Sequence, residues 1–314
     1  MGKSRKIKVQ RQNYACSSRQ IWRYRWLYVM LIPVIAFYII FKYVPMYGVT
    51  IAFKDYNMFK GVFASPWCGF KVFEKIFKSS NFWLSVRNTL YLNLLTLAVS
   101  FPLTIIVALM LNEVRMLKFK KITQSILYLP HFVSWVVVAG IATNLFSQQG
   151  GTINNLLNSI GIPSIPFLSH QGWWVFTYVL CNVWKDIGWG TIIYLAALTG
   201  VDESLYEAAY LDGATKFQRL LYITLPCIKP VIVTMLILSV SKMMTIGLDA
   251  PLLLGNSKVM SISEVISTYV YRIGIERAKY SDSTAIGLFQ SVVNIIILFF
   301  ADRFAKLIGE EGII

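Results

Sequence analysis

In "CNVWKDIGWGTIIY", residues 181–194, an amide, an ammonium and a carboxylate interrupt an apolar run: Asn182, Lys185 and Asp186, with Gly188 and Gly190 close behind. A second run, "LILSVSKMMTIG", carries Ser239, Ser241 and Lys242. Charge in such surroundings is costly, so it faces a bundle interior or a water-filled path and finds a partner there. Three readings are open: hydrogen bonding to a polar solute in transit, an ion or proton relay through Lys185 and Asp186, or a structural pairing. In the last, Lys185 pairs with Asp186 or with a backbone carbonyl at a helix break. Bond-making chemistry finds no support. Cys16, Cys68, Cys181 and Cys227 lack metal-like spacing, and His131 and His170 are too few for a multi-histidine site. No phosphate-cradling G-x-x-x-x-G-K-[ST] occurs. The chain therefore reads as a non-enzyme with no metal site.

A different kind of segment, "EAAYLDGATKFQRLLYITLPCIKP", follows at residues 207–230. Asp202 or Ser204 can cap a helix, and Ser204 with Glu207 has the spacing of a capping box. That helix runs through Ala208 and Ala209 to Leu211 and ends at Asp212-Gly213, where glycine is free to take a positive φ. A second short helix starts near Ala214, with Lys216, Gln218 and Arg219 on its polar side. Pro226 closes it and opens the next apolar run. The result is a helix–turn–helix bracket with small residues on one face. It could pack on its own membrane domain, lie on lipid, or receive a partner.

The elements that hold these residues are membrane spans. The 314 residues are 56% hydrophobic and 14% charged, with mean hydropathy +0.58, against about a quarter charged in soluble domains. Six stretches are apolar enough to cross lipid as helices, near 27–47, 84–111, 124–146, 173–198, 229–248 and 284–302. The net charge of +15 is a matter of topology here, not of nucleic acid. Eight Lys/Arg precede the first span, and none falls in 147–172. The loop 48–83 holds five lysines and runs against the rule, but the N-terminal cluster places both termini in the cytoplasm, beside anionic lipid. No small-residue cleavage site follows the first run, so a signal peptide is not expected. Residues 199–228 then form an inner loop, while 147–172 and 249–283 lie outside. The first of these outer loops reads as a short helix plus turns. In the second, Val265, Ile266, Tyr269, Val270 and Ile273 share one helical face.

The bracket also matches a known pattern. Glu207-Ala208-Ala209, three residues, Gly213, nine residues, Ile223, then Leu225-Pro226 meets each fixed position of the cytoplasmic loop of ABC importer permeases. The wider chain resembles the oligosaccharide branch of these binding-protein-dependent permeases. The resemblance runs from "RWLYVMLIPVIAFYIIFKYVPMYG" through "WKDIGWGTIIYLAALTGVDESLYEAAYLDGAT" to "ISEVISTYVYR" and "AIGLFQSVVN". Leu220 departs from it, since many relatives carry an aromatic there.

The resemblance implies an all-α, six-helix type I importer fold with cytoplasmic coupling helices. It divides the chain into a basic tail 1–26, a first helix and outer loop 27–83, a core 84–302 holding the loop 199–228, and a tail 303–314. It implies pairing with a second, different permease chain, two ATPase subunits that carry the ATP and Mg, and an extracytoplasmic sugar-binding lipoprotein. Glu207 would be the charged contact to the ATPase, Ala208 and Ala209 the close-approach face, and Asp212-Gly213-Ala214 the turn. By register with maltose-type relatives, Asn182, Asp186 and Ser239 fall on sugar-lining positions. Trp135, Trp184 and Trp189 could stack on a sugar face. Lys185 and Lys242 raise a uronic-acid cargo as the alternative to a neutral oligosaccharide.

Overall fold

The computed structural model describes Trp22, residues 24–307, Gly309 and Gly312. Most of the basic tail, Cys16 and most of residues 308–314 lie outside the described residues. The chain divides into two units, Met1–Thr50 and Ile51–Ile314. It is helical, and the described residues hold one isolated β-bridge, Lys54 to Trp67, and no named strand.

The first unit carries most of α1 (Arg25–Phe53). In the second, α2 (Ser80–Glu113), α7 (Lys216–Val240) and α10 (Tyr280–Leu307) are long and apolar enough to cross a membrane, as is α1. The third stretch is not the single helix expected over 124–146. It is a pair, α3 (Leu117–Phe132) and α4 (Trp135–Phe146), bent by 101° at Val133-Ser134. Pro130 cannot donate to an upstream carbonyl, and the chain tightens into a 3₁₀ turn over Leu129–Phe132. Val133 is extended, and Ser134 caps α4 by accepting from the Val137 amide. The fourth stretch, α5 (Gln171–Leu198), is 28 residues long, enough for about 40 Å. Asn182, Lys185 and Asp186 stand in its middle turns.

The fifth stretch also differs from expectation. It starts at Lys216 instead of 229 and ends at Val240 instead of 248. Pro226 does not close a helix. The backbone widens into a π turn over Leu220–Thr224 just before it and continues into Leu225–Val240. The same device precedes Pro45, where a π turn spans Ile39–Tyr43. A proline ring collides with the carbonyl four residues back, and the wider turn relieves that crowding without breaking the helix.

α5 lies at the centre. With α2 and α7 it buries Ala108, Leu111, Tyr194, Leu198 and Ile228 in one cluster. With α2, α4 and α8 (Asp249–Leu254) it buries Trp174, whose indole N–H donates to the Leu254 carbonyl at 2.8 Å. Glycine sets how closely its neighbours approach. A Cβ on Gly188 would collide with the Leu127 carbonyl, and one on Gly190 would press Thr104 Cγ2 at 2.9 Å. The outer helical face expected near residues 265–273 is a packed cap. Val265, Ile266, Tyr269 and Ile273 are buried around α9 (Ile266–Tyr271), against α2 and α10.

One interaction secures the bend. Lys185 is buried, and its ammonium donates to the carbonyls of Pro130 at 3.3 Å, His131 at 2.6 Å and Val133 at 2.7 Å. An ammonium has three N–H donors, and three carbonyls receive them. Lys185→Met should lower the melting temperature of the detergent-purified protein, with a cost of about 1–3 kcal/mol for each buried carbonyl left unmet. Trp184→Leu, at an exposed position of the same helix, serves as the control. Equal melting temperatures for both variants would remove this role from Lys185.

Candidate functional site

Asp186 lies on the face of α5 that turns toward α2 and α7. There a cavity of about 240 Å³ opens between the three helices. α2 contributes Ser100, Phe101 and Thr104, α5 contributes Asp186, Trp189 and Tyr194, and α7 contributes Met235 and Ser239. Two of the hydroxyls have a local acceptor: Thr104 donates to the Ser100 carbonyl at 2.7 Å, and Ser239 to that of Met235 at 2.8 Å. A hydroxyl that donates inside its own helix keeps lone pairs to accept with. The carboxylate, the hydroxyls and the flat indole face, set among the apolar Leu97, Phe101, Ile193 and Met235, suit a polyol with one apolar side.

The bend between α3 and α4 brings a further residue to this wall. His131 Nδ1 lies 3.0 Å from Asp186 Oδ1. The imidazole stacks on Trp189 with centroids 4.6 Å apart and planes 7° from parallel, and Phe132 meets the indole edge-on at 6.2 Å. Trp189 stays 47% exposed, so the ring is braced on one side and open elsewhere.

Of the seven path residues singled out in the sequence, Asp186, Trp189 and Ser239 line this cavity. Asn182 stands one turn from Asp186 and donates to the Tyr178 carbonyl at 2.8 Å. Lys185 faces the α3–α4 bend. Trp135 begins α4, 6.0 Å from the Lys185 ammonium and packed on the core. Lys242 lies beyond the end of α7 in an exposed turn, not inside a span. Trp184 lines a separate, apolar cavity of about 340 Å³ with Val138, Ile141 and Leu180. The sequence reading missed Ser100, Thr104 and His131. Small hydroxyls are common in any apolar helix, and His131 gains its place only through the bend.

The bracket lies at the far end of α5. α6 (Glu203–Leu211) is capped by Asp202, whose carboxylate accepts from the Ser204 amide at 2.9 Å. That hydrogen bond holds the Asp202 carboxyl below its ordinary pKa. The expected Ser204–Glu207 capping box is not the cap used; the reciprocal pair is Thr215 with Gln218, at the start of α7. Gly213 takes φ +75°, as expected of a helix-ending glycine. The Ala214 amide donates to the Ala209 carbonyl at 2.9 Å. Glu207 and Ala208 are exposed, as are the larger apolar groups Tyr210, Leu211 and Phe217. Tyr206 Oη meets Thr224 Oγ1 at 2.9 Å and ties α6 to the π turn of α7.

Residues 100–310 match the family described as "Binding-protein-dependent transport system inner membrane component". The chain belongs to this family. It is 44% identical over 289 residues to the polygalacturonan/rhamnogalacturonan transport system permease protein YteP of Bacillus subtilis, covering 92% of this chain and 90% of that one. It is 45% identical over 291 residues to protein LplB of the same organism, covering 93% and 92%. A solved bacterial ABC transporter for import of the acidic polysaccharide alginate contains a chain 39% identical, with TM-score 0.85 over 92% of this chain and 98% of that one. The same transporter type was also solved in complex with an alginate pentasaccharide-bound periplasmic protein; its matching chain has TM-score 0.86. The protein is thus an inner-membrane permease of ABC type, and its relatives are transport permeases.

Ser239 is exposed at the cavity wall and can carry a larger side chain without crowding the core. Ser239→Trp should fill the cavity and abolish uptake in proteoliposomes, while the size-exclusion profile stays that of the parent. Undiminished uptake would take this cavity out of the transport path.

Proposed function

We propose that this chain forms half of the translocation path of an ATP-driven importer for an oligosaccharide. In this reading a second, different permease chain supplies the other half, and an extracytoplasmic binding lipoprotein delivers the sugar. Two separate ATPase subunits hold ATP and Mg and grip the bracket around Glu207, Ala208, Ala209, Asp212, Gly213 and Ala214. Both termini and the bracket face the cytoplasm. The path runs along Asn182, Asp186, Trp189 and Ser239.

One observation carries the reading. The second helix of the bracket and the cavity-lining helix are the same helix, α7, from Lys216 to Val240. From Phe217 to Ser239 is about 33 Å of α-helical rise, less a little for the π turn. A displacement of the bracket is delivered to the cavity wall without an intervening loop. Tyr206–Thr224 locks α6 to that lever, so both bracket helices move with it. Rigid elements of this kind suit alternating access, in which packed bodies rock around a fixed site. The exposed Ala208 leaves room for close approach, and the uncovered Tyr210, Leu211 and Phe217 give a partner apolar surface to bury.

The cargo favoured among oligosaccharides is a uronic-acid one. The support is the substrates of relatives: polygalacturonan or rhamnogalacturonan for one, and the acidic polysaccharide alginate for another. The cavity itself offers Asp186 and no lysine or arginine among its described lining residues.

Purification of the tagged chain from its own cell in mild detergent should retain a P-loop ATPase, a second permease and a lipid-anchored binding protein, identified by mass spectrometry. Recovery of the chain alone, still driving uptake in ATP-free vesicles under an ion gradient, would return Lys185 and Asp186 to the centre of the mechanism. Within the complex, Gly213→Pro or Ala208→Trp should leave ATP hydrolysis running while uptake falls by about tenfold or more, a loss equivalent to 1.4 kcal/mol per decade. Coupled transport at parental rates in both variants would overturn the lever.

A further inference from the structure

A chain of three open cavities lies at the end of α5 opposite the bracket. The first, about 510 Å³, is lined by Ser147, Gln148, Gln149 and Ser169 from one loop and by Asn256, Ser257 and Lys258 from another. The second, about 420 Å³, shares Asn256 and Ser257 with it and continues to Arg272 and Arg277. The third, about 230 Å³, shares Arg272 and Arg277 with the second. The two loops are joined where Asn256 donates to the Leu168 carbonyl at 2.8 Å, so the walls face each other across a fixed gap.

The polar part of the lining is amide, hydroxyl and cation, set beside the apolar Leu168, Pro251, Leu252, Met260 and Ile273. Glu264 is the one acid among the described lining residues of the three cavities. It is buried and already engaged, with Arg272 Nη1 2.9 Å from its Oε1. Lys258 and Arg277 are exposed and carry the positive charge that this pair leaves over. Arg277 follows a π turn over Arg272–Glu276 and precedes Ala278 at φ 53°. Amides and hydroxyls bond sugar hydroxyls, and ammonium and guanidinium groups bond carboxylates through charge-assisted hydrogen bonds. The two larger volumes fall within the range of about 300–1,000 Å³ typical of ligand sites.

We infer that this row, from Gln148 through Asn256 and Lys258 to Arg277, is a receiving site for a carboxylated oligosaccharide at the outer mouth of the path. Amides and hydroxyls take the sugar hydroxyls, and Lys258 and Arg277 take successive carboxylates. The inference rests on the importer reading above and adds to it the location of charge selection, which the inner cavity does not supply.

The test uses the whole transporter with its binding protein in proteoliposomes. The probes are trigalacturonate, trimannuronate and their carboxyl-reduced neutral counterparts. Lys258→Gln and Arg277→Gln should each raise the KM for a uronate trisaccharide by about tenfold, the scale of one charge-assisted hydrogen bond. Uptake of the neutral counterpart should change by less than about twofold, basal ATP hydrolysis should be unchanged, and Lys258→Arg should restore the parental KM. Equal losses on charged and neutral probes, or an unchanged KM, would overturn the site while leaving the importer reading intact. A loss that follows a weaker affinity for the binding protein would reassign the row to protein docking. Failure of the parent transporter to take up any of the four probes would overturn the uronic-acid reading, and the site with it.

Discussion

A cation buried in the interior of a long helix must be answered by hydrogen-bond acceptors, and at Lys185 that requirement shapes the centre of the protein. A straight third span would have kept its carbonyls inside its own ladder. The bend at Val133-Ser134 turns the carbonyls of Pro130, His131 and Val133 toward the ammonium, which collects all three and shares that of Pro130 with the Val133 amide. The same bend swings His131 onto Trp189 and against Asp186. Gly188 accepts the Leu127 backbone at a distance no other residue would allow. The wall of the inner cavity therefore depends on the position of one lysine.

This division of labour separates two residues that stand side by side in the sequence. Lys185 and Asp186 look like an ion pair or relay when read along the chain. Adjacent helical positions differ by about 100° around the axis, and here that rotation sends the lysine to the bend and the aspartate to the cavity. A relay would need the two to share a proton path. The lysine's three donors are instead turned to backbone, and the aspartate's partner is an imidazole from another helix. The geometry thus sets a structural lysine beside a cavity-lining carboxylate.

The parts legible in the sequence were those fixed by local rules. Gly213 was marked by the need for a positive φ, Asp202 by its capping chemistry, and the bracket by fixed spacing over twenty residues. The long apolar stretches were visible because lipid demands them. What escaped notice depended on contacts between distant segments. Pro130 suggests a break only once a buried lysine is known to sit opposite it. Pro226 looked like a terminus because proline is a poor interior residue, yet a π turn lets α7 run through it. Lys242 seemed intramembrane because the apolar run continues past it, whereas the helix stops at Val240. Ser100 and Thr104 carried no signal of their own until α5 and α7 enclosed them.

The placement of charge then bears on how a charged cargo could move. A tight cationic pocket midway would hold a polyanion and oppose its release, since passage needs binding strong enough to admit and weak enough to let go. In this protein the candidate inner cavity is lined by hydroxyls, an indole, a carboxylate and the apolar Leu97, Phe101, Ile193 and Met235, and Lys185, next to Asp186 in the chain, is already committed to backbone. The less committed cations, Lys258 and Arg277, stand at the opposite end of α5 from the bracket. Selection by charge at the mouth and passage by hydroxyl contact within would let one path admit acidic chains of differing length. Such a path would leave the work of release to the movement of α7, not to the chemistry of the cavity.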